Sequence, residues 1–439
     1  MRVLFAASEI YPYAKTGGLA DVAAALPKAL GRHCEIYRVM PKYRFIDIPF
    51  QKCDIDFEVF GRRVEIYRHE TTYFIYEESL CQRDYPYGEP GSAYEDNWLR
   101  FAIFSAAIAK LSWILGVDLL HLNDWHTALA ALYAPCKKIF TIHNLAYQGI
   151  FEASVAKELS LGPYFTMEGL EFYGKVNYLK AGIAYSDHVT TVSPTYAKEI
   201  QTPAFGCGLD GFLKKHASKL TGILNGIDYD IFDPAKDPLL PYHFDAATIG
   251  RKKEIKKTFF EDDNPLFIFI GRFVEQKGID TLIEALPELL AKELNLFILG
   301  EGEERFEKAV TSLKAPNYKA FIGYKEILSH QLYAAADFLL MPSRFEPCGL
   351  NQIIAMRYGT IPIVRPVGGL RDSVHPIGSS RCGEGFWIKD LLKSVEDALR
   401  YHPKSQETRR FDMGCDFSID RCAKEYYRLY ERIMHEDGR

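Results

Sequence analysis

Residues 266–278 read Leu-Phe-Ile-Phe-Ile-Gly-Arg-Phe-Val-Glu-Gln-Lys-Gly, and this stretch decides the fold. Its first five residues form a short β-rich apolar run, the pattern of a strand buried on both faces of a parallel sheet. Gly271 ends the run, and two cations, Arg272 and Lys277, follow just beyond it. Working outward, similar runs at 296–299, 320–323, 338–341 and 361–364 alternate with helical patterns. An earlier set at 3–7, 119–122, 139–142 and 188–192 does the same. Such alternation is the signature of βαβ units, so the chain is read as α/β with two doubly wound sheets. Between the sets, 232–242 carries Pro234, Pro238 and Pro241 with several aspartates and reads as a linker. The expected domains are therefore 1–235 and 236–415.

Length agrees, because 439 residues exceed what one hydrophobic core usually serves. With 48% hydrophobic and 25% charged residues and no low-complexity tract, the chain is expected to fold throughout. A net charge of −5 offers no basic field for nucleic acid and no polybasic stripe for a membrane surface. Nine scattered cysteines without a C-x-x-C pair fit neither a disulfide framework nor a zinc ribbon, so the thiols are expected to be reduced. The first apolar run is too short for a signal peptide and is interrupted by Glu9, while 101–115 reads as a buried helix. A cytoplasmic protein is expected.

In doubly wound sheets ligands sit beyond the carboxyl ends of the strands, so polar residues just after a strand deserve scrutiny. Five clusters stand there. Lys15-Thr16-Gly17-Gly18 opens a helix, where paired glycines admit a ligand to bare N–H groups and Lys15 adds a charge. The lysine precedes the glycines, which is wrong for a P-loop, and no G-x-G-x-x-G occurs, which weakens a dinucleotide reading. His121 to His126, with Asn123 and Asp124, and the segment His143-Asn144-Leu145-Ala146-Tyr147-Gln148-Gly149 supply the polar and aromatic groups of a sugar pocket. Their histidines match no standard zinc spacing, and one or two could be hydrogen-bonded core residues. Arg272 and Lys277, with Gln276 between them, can clamp a diphosphate and stabilise a departing phosphate. Finally, Ser343-Arg344-Phe345-Glu346-Pro347-Cys348-Gly349-Leu350-Asn351 leads into a helix, with backbone donors around Gly349 to Asn351 and Glu346 facing a sugar. Cys348 is read as a packing residue, since a reactive thiolate needs a partner. The two Asp-x-Asp strings, at 54–56 and 228–230, stand away from these ligands and are not read as a metal site, nor is any cofactor expected.

With these residues in view, the chain closely resembles the bacterial and plant glycogen/starch synthase family over essentially its whole length. The motifs that carry the resemblance are Lys-Thr-Gly-Gly-Leu-Ala-Asp-Val, Asp-Trp-His, His-Asn-Leu-Ala-Tyr-Gln-Gly, Val-Ser-Pro-Thr-Tyr at 192–196, Leu-Asn-Gly-Ile-Asp, the Arg-x4-Lys pair and Ser-Arg-Phe-Glu-Pro-Cys-Gly-Leu, all in order. The resemblance implies a GT-B architecture: two Rossmann-like domains facing a central cleft, with a C-terminal helix, 416–439, crossing back to the first domain. It implies a retaining transfer of glucose from ADP-glucose to the non-reducing end of an α-1,4-glucan, without metal, in which the leaving diphosphate helps to deprotonate the acceptor. It assigns Arg272 and Lys277 to the diphosphate, Glu346 and the amides after it to the glucose and distal phosphate, and His143 and Asp124 to the reacting sugar. Lys15, Gly17, Gly18, Asn144, Gln276, Tyr324, Cys348, Gly349, Leu350, Asn351, Gly368 and Gly369 complete the implied donor site. A UDP-glucose-using synthase, a catalytically silent glucan- or nucleotide-sugar-binding protein and a PLP-dependent phosphorylase are the competing readings. The last is opposed by the short chain and the lack of a recognisable Schiff-base lysine segment.

Overall fold

The computed structural model describes residues 1–89 and 91–435. The chain divides into two compact units. One comprises residues 1–192, 197–223 and the chain from Ile419 onward; the other comprises 193–196 and 224–418.

The first unit is built on a nine-stranded sheet in the order Leu220–Gly222, His188–Thr191, Lys137–Ile142, Leu119–Asn123, Arg2–Ala6, Glu35–Pro41, Thr72–Tyr76, Arg62–His69 and Gln51–Val59. The first seven strands are parallel neighbours, and the last two add antiparallel pairs. That antiparallel extension was not foreseen: its residues alternate between exposed and half-buried along Gln51–Val59, so no continuous apolar run marks it. The strand order reverses between Arg2–Ala6 and Leu119–Asn123, which creates a ligand crevice beyond their carboxyl ends.

Helix Gly18–Leu30 covers the sheet through Leu19, Val22, Ala23, Leu26 and Leu30. The helix Ile419–His435 returns to pack on it with Cys422, Ala423, Tyr426, Leu429, Tyr430 and Ile433, spaced three and four residues apart as one apolar stripe. The Tyr430 hydroxyl meets His121 Nδ1 at 2.5 Å, and His121 Nε2 meets Thr141 Oγ1 at 2.7 Å. His121 is thus a hydrogen-bonded core residue, kept neutral by burial, which lowers its pKa to about 3.

In the second unit seven parallel strands run in the order Tyr318–Ile322, Asn295–Gly300, Leu266–Ile270, Phe338–Met341, Ile361–Val364, Glu384–Trp387 and His375–Pro376. Here the order reverses between Leu266–Ile270 and Phe338–Met341. Apart from 193–196, this unit begins at Leu224, ahead of the proline-bearing stretch at 232–242. The reason is hydrogen bonding to the end of the unit: Ile227 N–H donates to the Phe417 carbonyl at 3.0 Å, and the Tyr229 hydroxyl to that of Cys415 at 3.0 Å.

Two observations bear on the sequence-based expectations. Cys382 and Cys415 pair as a disulfide, with Cα atoms 5.5 Å apart, so not every thiol is reduced. Thirty-three residues separate them, and only the fold brings them together. The helix Asn97–Ile114 is largely buried, though Trp113 is 70% exposed. No helix among the described residues is long and apolar enough to cross a membrane.

Candidate active site

In the first unit the polar residues beyond the strands include two carboxylates, Glu9 and Asp124. Glu9 follows the first strand, and its carboxylate accepts hydrogen bonds from the Thr16 N–H at 2.6 Å and hydroxyl at 2.7 Å. These bonds fix the turn that carries Lys15 and Gly17. A Cβ at Gly17 would meet nothing within 4 Å, so the backbone there is bare, and Gly18 starts the helix. Lys15 Nζ pairs with Asp21 Oδ1 at 2.7 Å and lies 5.5 Å from the Tyr11 ring centre.

Asp124 stands directly after Leu119–Asn123 with φ +57°, a left-handed conformation rare for a residue with a side chain. The conformation aims its carboxylate at the next strand end, where Oδ1 accepts the His143 N–H at 2.7 Å. His143 Nε2 meets Asn123 Oδ1 at 2.8 Å, while Asn123 Nδ2 donates to the Ala6 carbonyl at 2.9 Å. Burial lowers the His143 pKa to about 3, so the ring is neutral. With Nε2–H donated to Asn123, Nδ1 is left as an acceptor suited to a hydroxyl. Asn144 uses Oδ1 to accept the Ala146 N–H at 3.0 Å, which shapes its loop.

Two groups here escaped sequence reasoning. Glu9 was noticed only as a break in an apolar run. Tyr87, far away in sequence, places its hydroxyl 2.7 Å from Ser8 Oγ and stacks on His126 with centroids 4.6 Å apart. His126 itself is buried against Trp125 and Tyr87 and packs rather than binds.

Burial raises the carboxyl pKa of Glu9 to about 7, against the opposing hydrogen bonds from Thr16. It raises that of Asp124 to about 7 as well, against the N–H groups of His143 and Asn144. A carboxyl with a raised folded pKa gives stability that is full below its unfolded value, about 4, and lost as pH rises through the folded one. Asp124→Asn keeps an acceptor for the His143 N–H but cannot ionise. The melting temperature of this variant minus that of the wild type is therefore expected to climb between about pH 4 and 7 and to level off above. A difference that stays level across that range would remove Asp124 as a titrating group.

The second unit presents cations. Arg272 is exposed, and its guanidinium makes no hydrogen bond or ion pair among the described residues. Lys277 Nζ meets Glu346 Oε2 at 2.5 Å, and the Ser343 hydroxyl donates to the same oxygen at 3.2 Å. Glu346 is 5% exposed, so its charge is balanced by a specific partner rather than by water.

The two loops are zipped together. Arg344 N–H donates to the Gln276 carbonyl at 2.8 Å, Gln276 Nε2 to the Phe345 carbonyl at 3.4 Å, and Arg344 forks onto Asp280 at 2.7 and 2.5 Å. Gly278 permits this contact, because at φ +70° a Cβ would lie 2.3 Å from the Pro342 carbonyl oxygen.

Beneath lie Gly368 and Gly369. Gly369 N–H donates to the Glu346 carbonyl at 3.0 Å and to that of Pro347 at 3.2 Å. A Cβ on Gly368, at φ +47°, would fall 1.9 Å from the Glu346 carbonyl oxygen. The pair thus shapes the loop under Glu346. Within the same unit Ser193 donates to the Pro347 carbonyl at 2.7 Å, which accounts for the Val-Ser-Pro-Thr-Tyr motif.

Gly349 and Leu350 are half-buried and precede the helix Asn351–Arg357, whose first N–H groups lack helical partners. The Asn351 side chain is committed elsewhere, donating to the Ile270 carbonyl at 2.7 Å, so only its backbone can serve a ligand. Cys348 is buried, and Tyr324 is 60% exposed after the strand Tyr318–Ile322. The expected residues thus fall into two groups, one in each unit.

The chain is similar to known proteins over its whole length. Residues 2–215 match the family model described as the starch synthase catalytic domain, and residues 250–410 that of group 1 glycosyl transferases. The chain is 43% identical to a glycogen synthase of Aquifex aeolicus (strain VF5) and 41% identical to one of Anaeromyxobacter sp. (strain Fw109-5), each over 99% of both chains. Among solved structures it is similar to the catalytic domain of starch synthase IV from Arabidopsis thaliana, bound to ADP and acarbose. That match has TM-score 0.89 and 33% identity over 99% of both chains. Sucrose-phosphate synthase of Thermosynechococcus elongatus shares the fold, with TM-score 0.65 and 16% identity over 98% of both chains. The fold is GT-B.

Proposed function

Because the chain belongs to the glycogen and starch synthase family of hexosyltransferases, we propose that it moves glucose from ADP-glucose to the non-reducing end of an α-1,4-glucan, with retention, in the cytoplasm. The observation that carries this reading is the cation pair beyond Leu266–Ile270. The Arg272 guanidinium has no hydrogen-bond or ion-pair partner among the described residues, while Lys277 is held by Glu346 at 2.5 Å. A diphosphate can fill the open valence of Arg272 and share Lys277, and the two cations then stabilise the charge that grows as the sugar–phosphate bond breaks. Glu346, released in part from Lys277, can accept a glucose hydroxyl. In the first unit, the neutral His143 ring can accept a sugar hydroxyl through Nδ1, and Asp124 holds the backbone that presents it. The acceptor hydroxyl attacks from the face that the diphosphate leaves, and the diphosphate takes its proton, so retention needs no carboxylate nucleophile.

The structure bound to ADP favours the adenine donor, and the acarbose in the same structure favours a glucan acceptor. The purified chain, given glycogen and either ADP-glucose or UDP-glucose, is expected to release nucleoside diphosphate at least about tenfold faster from the adenine donor, a discrimination of about 1.4 kcal/mol. A faster rate with the uridine donor would reverse the assignment. New linkages with β configuration would end it.

A further inference from the structure

Tyr173 and Met167, at 80% and 77%, are the most exposed large apolar side chains among the described residues. Tyr173 is also strained. It stands at φ +50° and Gly174 at φ +79°, forming the two-residue turn between Glu171–Phe172 and Lys175–Asn177. Such a turn suits asparagine or glycine in its first position, and a bulky ring there is unfavourable. Exposure and strain both work against stability, which marks the residue for a task outside the fold.

The hairpin is anchored. The buried Lys180 donates to the carbonyls of Met167 at 2.7 Å and Glu171 at 2.5 Å, with its ammonium 4.7 Å from the Phe212 ring centre. The Tyr173 ring packs on Phe172 with centroids 4.7 Å apart and lies against Gly208.

The ledge also connects to the candidate active site. Lys175–Asn177 pairs with Ile150–Phe151, at the end of the loop that starts with His143 and Asn144. Gln148 Nε2 donates to the Cys207 carbonyl at 3.1 Å, so Gln148 and the Tyr173 ring rest on the same short segment. Beside Gln148, Tyr147 is 54% exposed. Charges around the ledge cancel, Lys175 pairing with Glu152 at 2.8 Å and Lys215 with Glu168. That composition suits a neutral ligand with apolar faces between hydroxyls, and pyranose rings have such faces.

We propose that Tyr173, with Met167 and Tyr147, forms a ledge on which the glucan acceptor lies beyond its reacting end, so that Tyr173 favours long acceptors over short ones. The proposal rests on the glucan reading above. Tyr173→Asn suits the turn and removes the ring, and Tyr173→Phe keeps the ring and loses the hydroxyl. The glycogen KM of Tyr173→Asn is expected to rise about fivefold or more, the loss of one stacked ring. Its kcat and its KM for maltotriose should stay at the wild-type values, and Tyr173→Phe should match the wild type throughout.

Retarded migration in glycogen-containing gels, which needs no donor, should weaken in parallel. Wild-type protein that binds glycogen in the gel but transfers from no nucleotide sugar would overturn the proposed reaction and leave the ledge standing. Normal transfer with an unchanged glycogen KM in Tyr173→Asn would overturn the ledge alone. So would a change of oligomeric mass in that variant with glycogen affinity intact, which would assign the ring to a second copy of the chain.

Discussion

Arg272→Ala is expected to lower turnover by about two to three orders of magnitude, the scale of removing one preorganised charge partner, about 3 kcal/mol. Its melting temperature should stay near the wild-type value. The contrast follows from geometry, because the guanidinium is exposed and makes no hydrogen bond or ion pair among the described residues that folding could lose. Lys277→Ala is expected to behave differently. It strips Glu346, 5% exposed, of the ammonium 2.5 Å away, so activity and stability should fall together. Steady-state kinetics and thermal melts on the two variants test both halves of the argument. An Arg272→Ala enzyme with near-normal kcat would refute the diphosphate role, and a Lys277→Ala enzyme of unchanged stability would refute the buried pair.

Gly368→Ala should be almost as damaging, although residue 368 bears no reactive group. A methyl there would sit 1.9 Å from the Glu346 carbonyl oxygen, and the conformation at φ +47° already disfavours a side chain. The loop must shift, which disturbs the hydrogen bonds from Gly369 N–H to residues 346 and 347. Displacing a positioned group by about 1 Å can cost about a hundredfold in rate. Gly378→Ala is the control, since Gly378 has φ +80° but nothing within 4 Å of the added methyl. It bears the backbone cost alone, on the order of 1–2 kcal/mol. Activity retained in Gly378→Ala but lost in Gly368→Ala would place the effect in the contact with Glu346. Equal losses would assign it to backbone conformation and remove the argument about the loop.

Much of this was readable beforehand, for a physical reason. A strand buried in a parallel sheet must be apolar throughout, and a ligand must meet it at the carboxyl end, so Arg272, Asp124 and His143 stand where the sequence changes character. Glu346 and Lys277 are legible in the same way, though their pairing at 2.5 Å is not. What stayed hidden depends on contacts distant in sequence. Tyr87 reaches Ser8 from a loop with no motif, and Cys382 meets Cys415 only after folding. The antiparallel strand Gln51–Val59 lies largely in water, and its partner Arg62–His69 buries only Val64 and Ile66, so neither needs a continuous apolar run. Asn351 is read for its backbone N–H, while its side chain serves the scaffold by bonding the Ile270 carbonyl, a contact that no local pattern announces.

The return of Ile419–His435 to the first unit has a consequence during synthesis. The stripe of Ala423, Tyr426 and Ile433 belongs to the core around the helix Gly18–Leu30, yet it leaves the ribosome only after the whole second unit has been made. Until then the nascent first unit carries an uncovered greasy face, a target for chaperones and a liability for aggregation. A ribosome that stalls before codon 419 should release a polypeptide whose second half is complete and whose first half cannot close, so quality control of translation and of folding converge on this one helix.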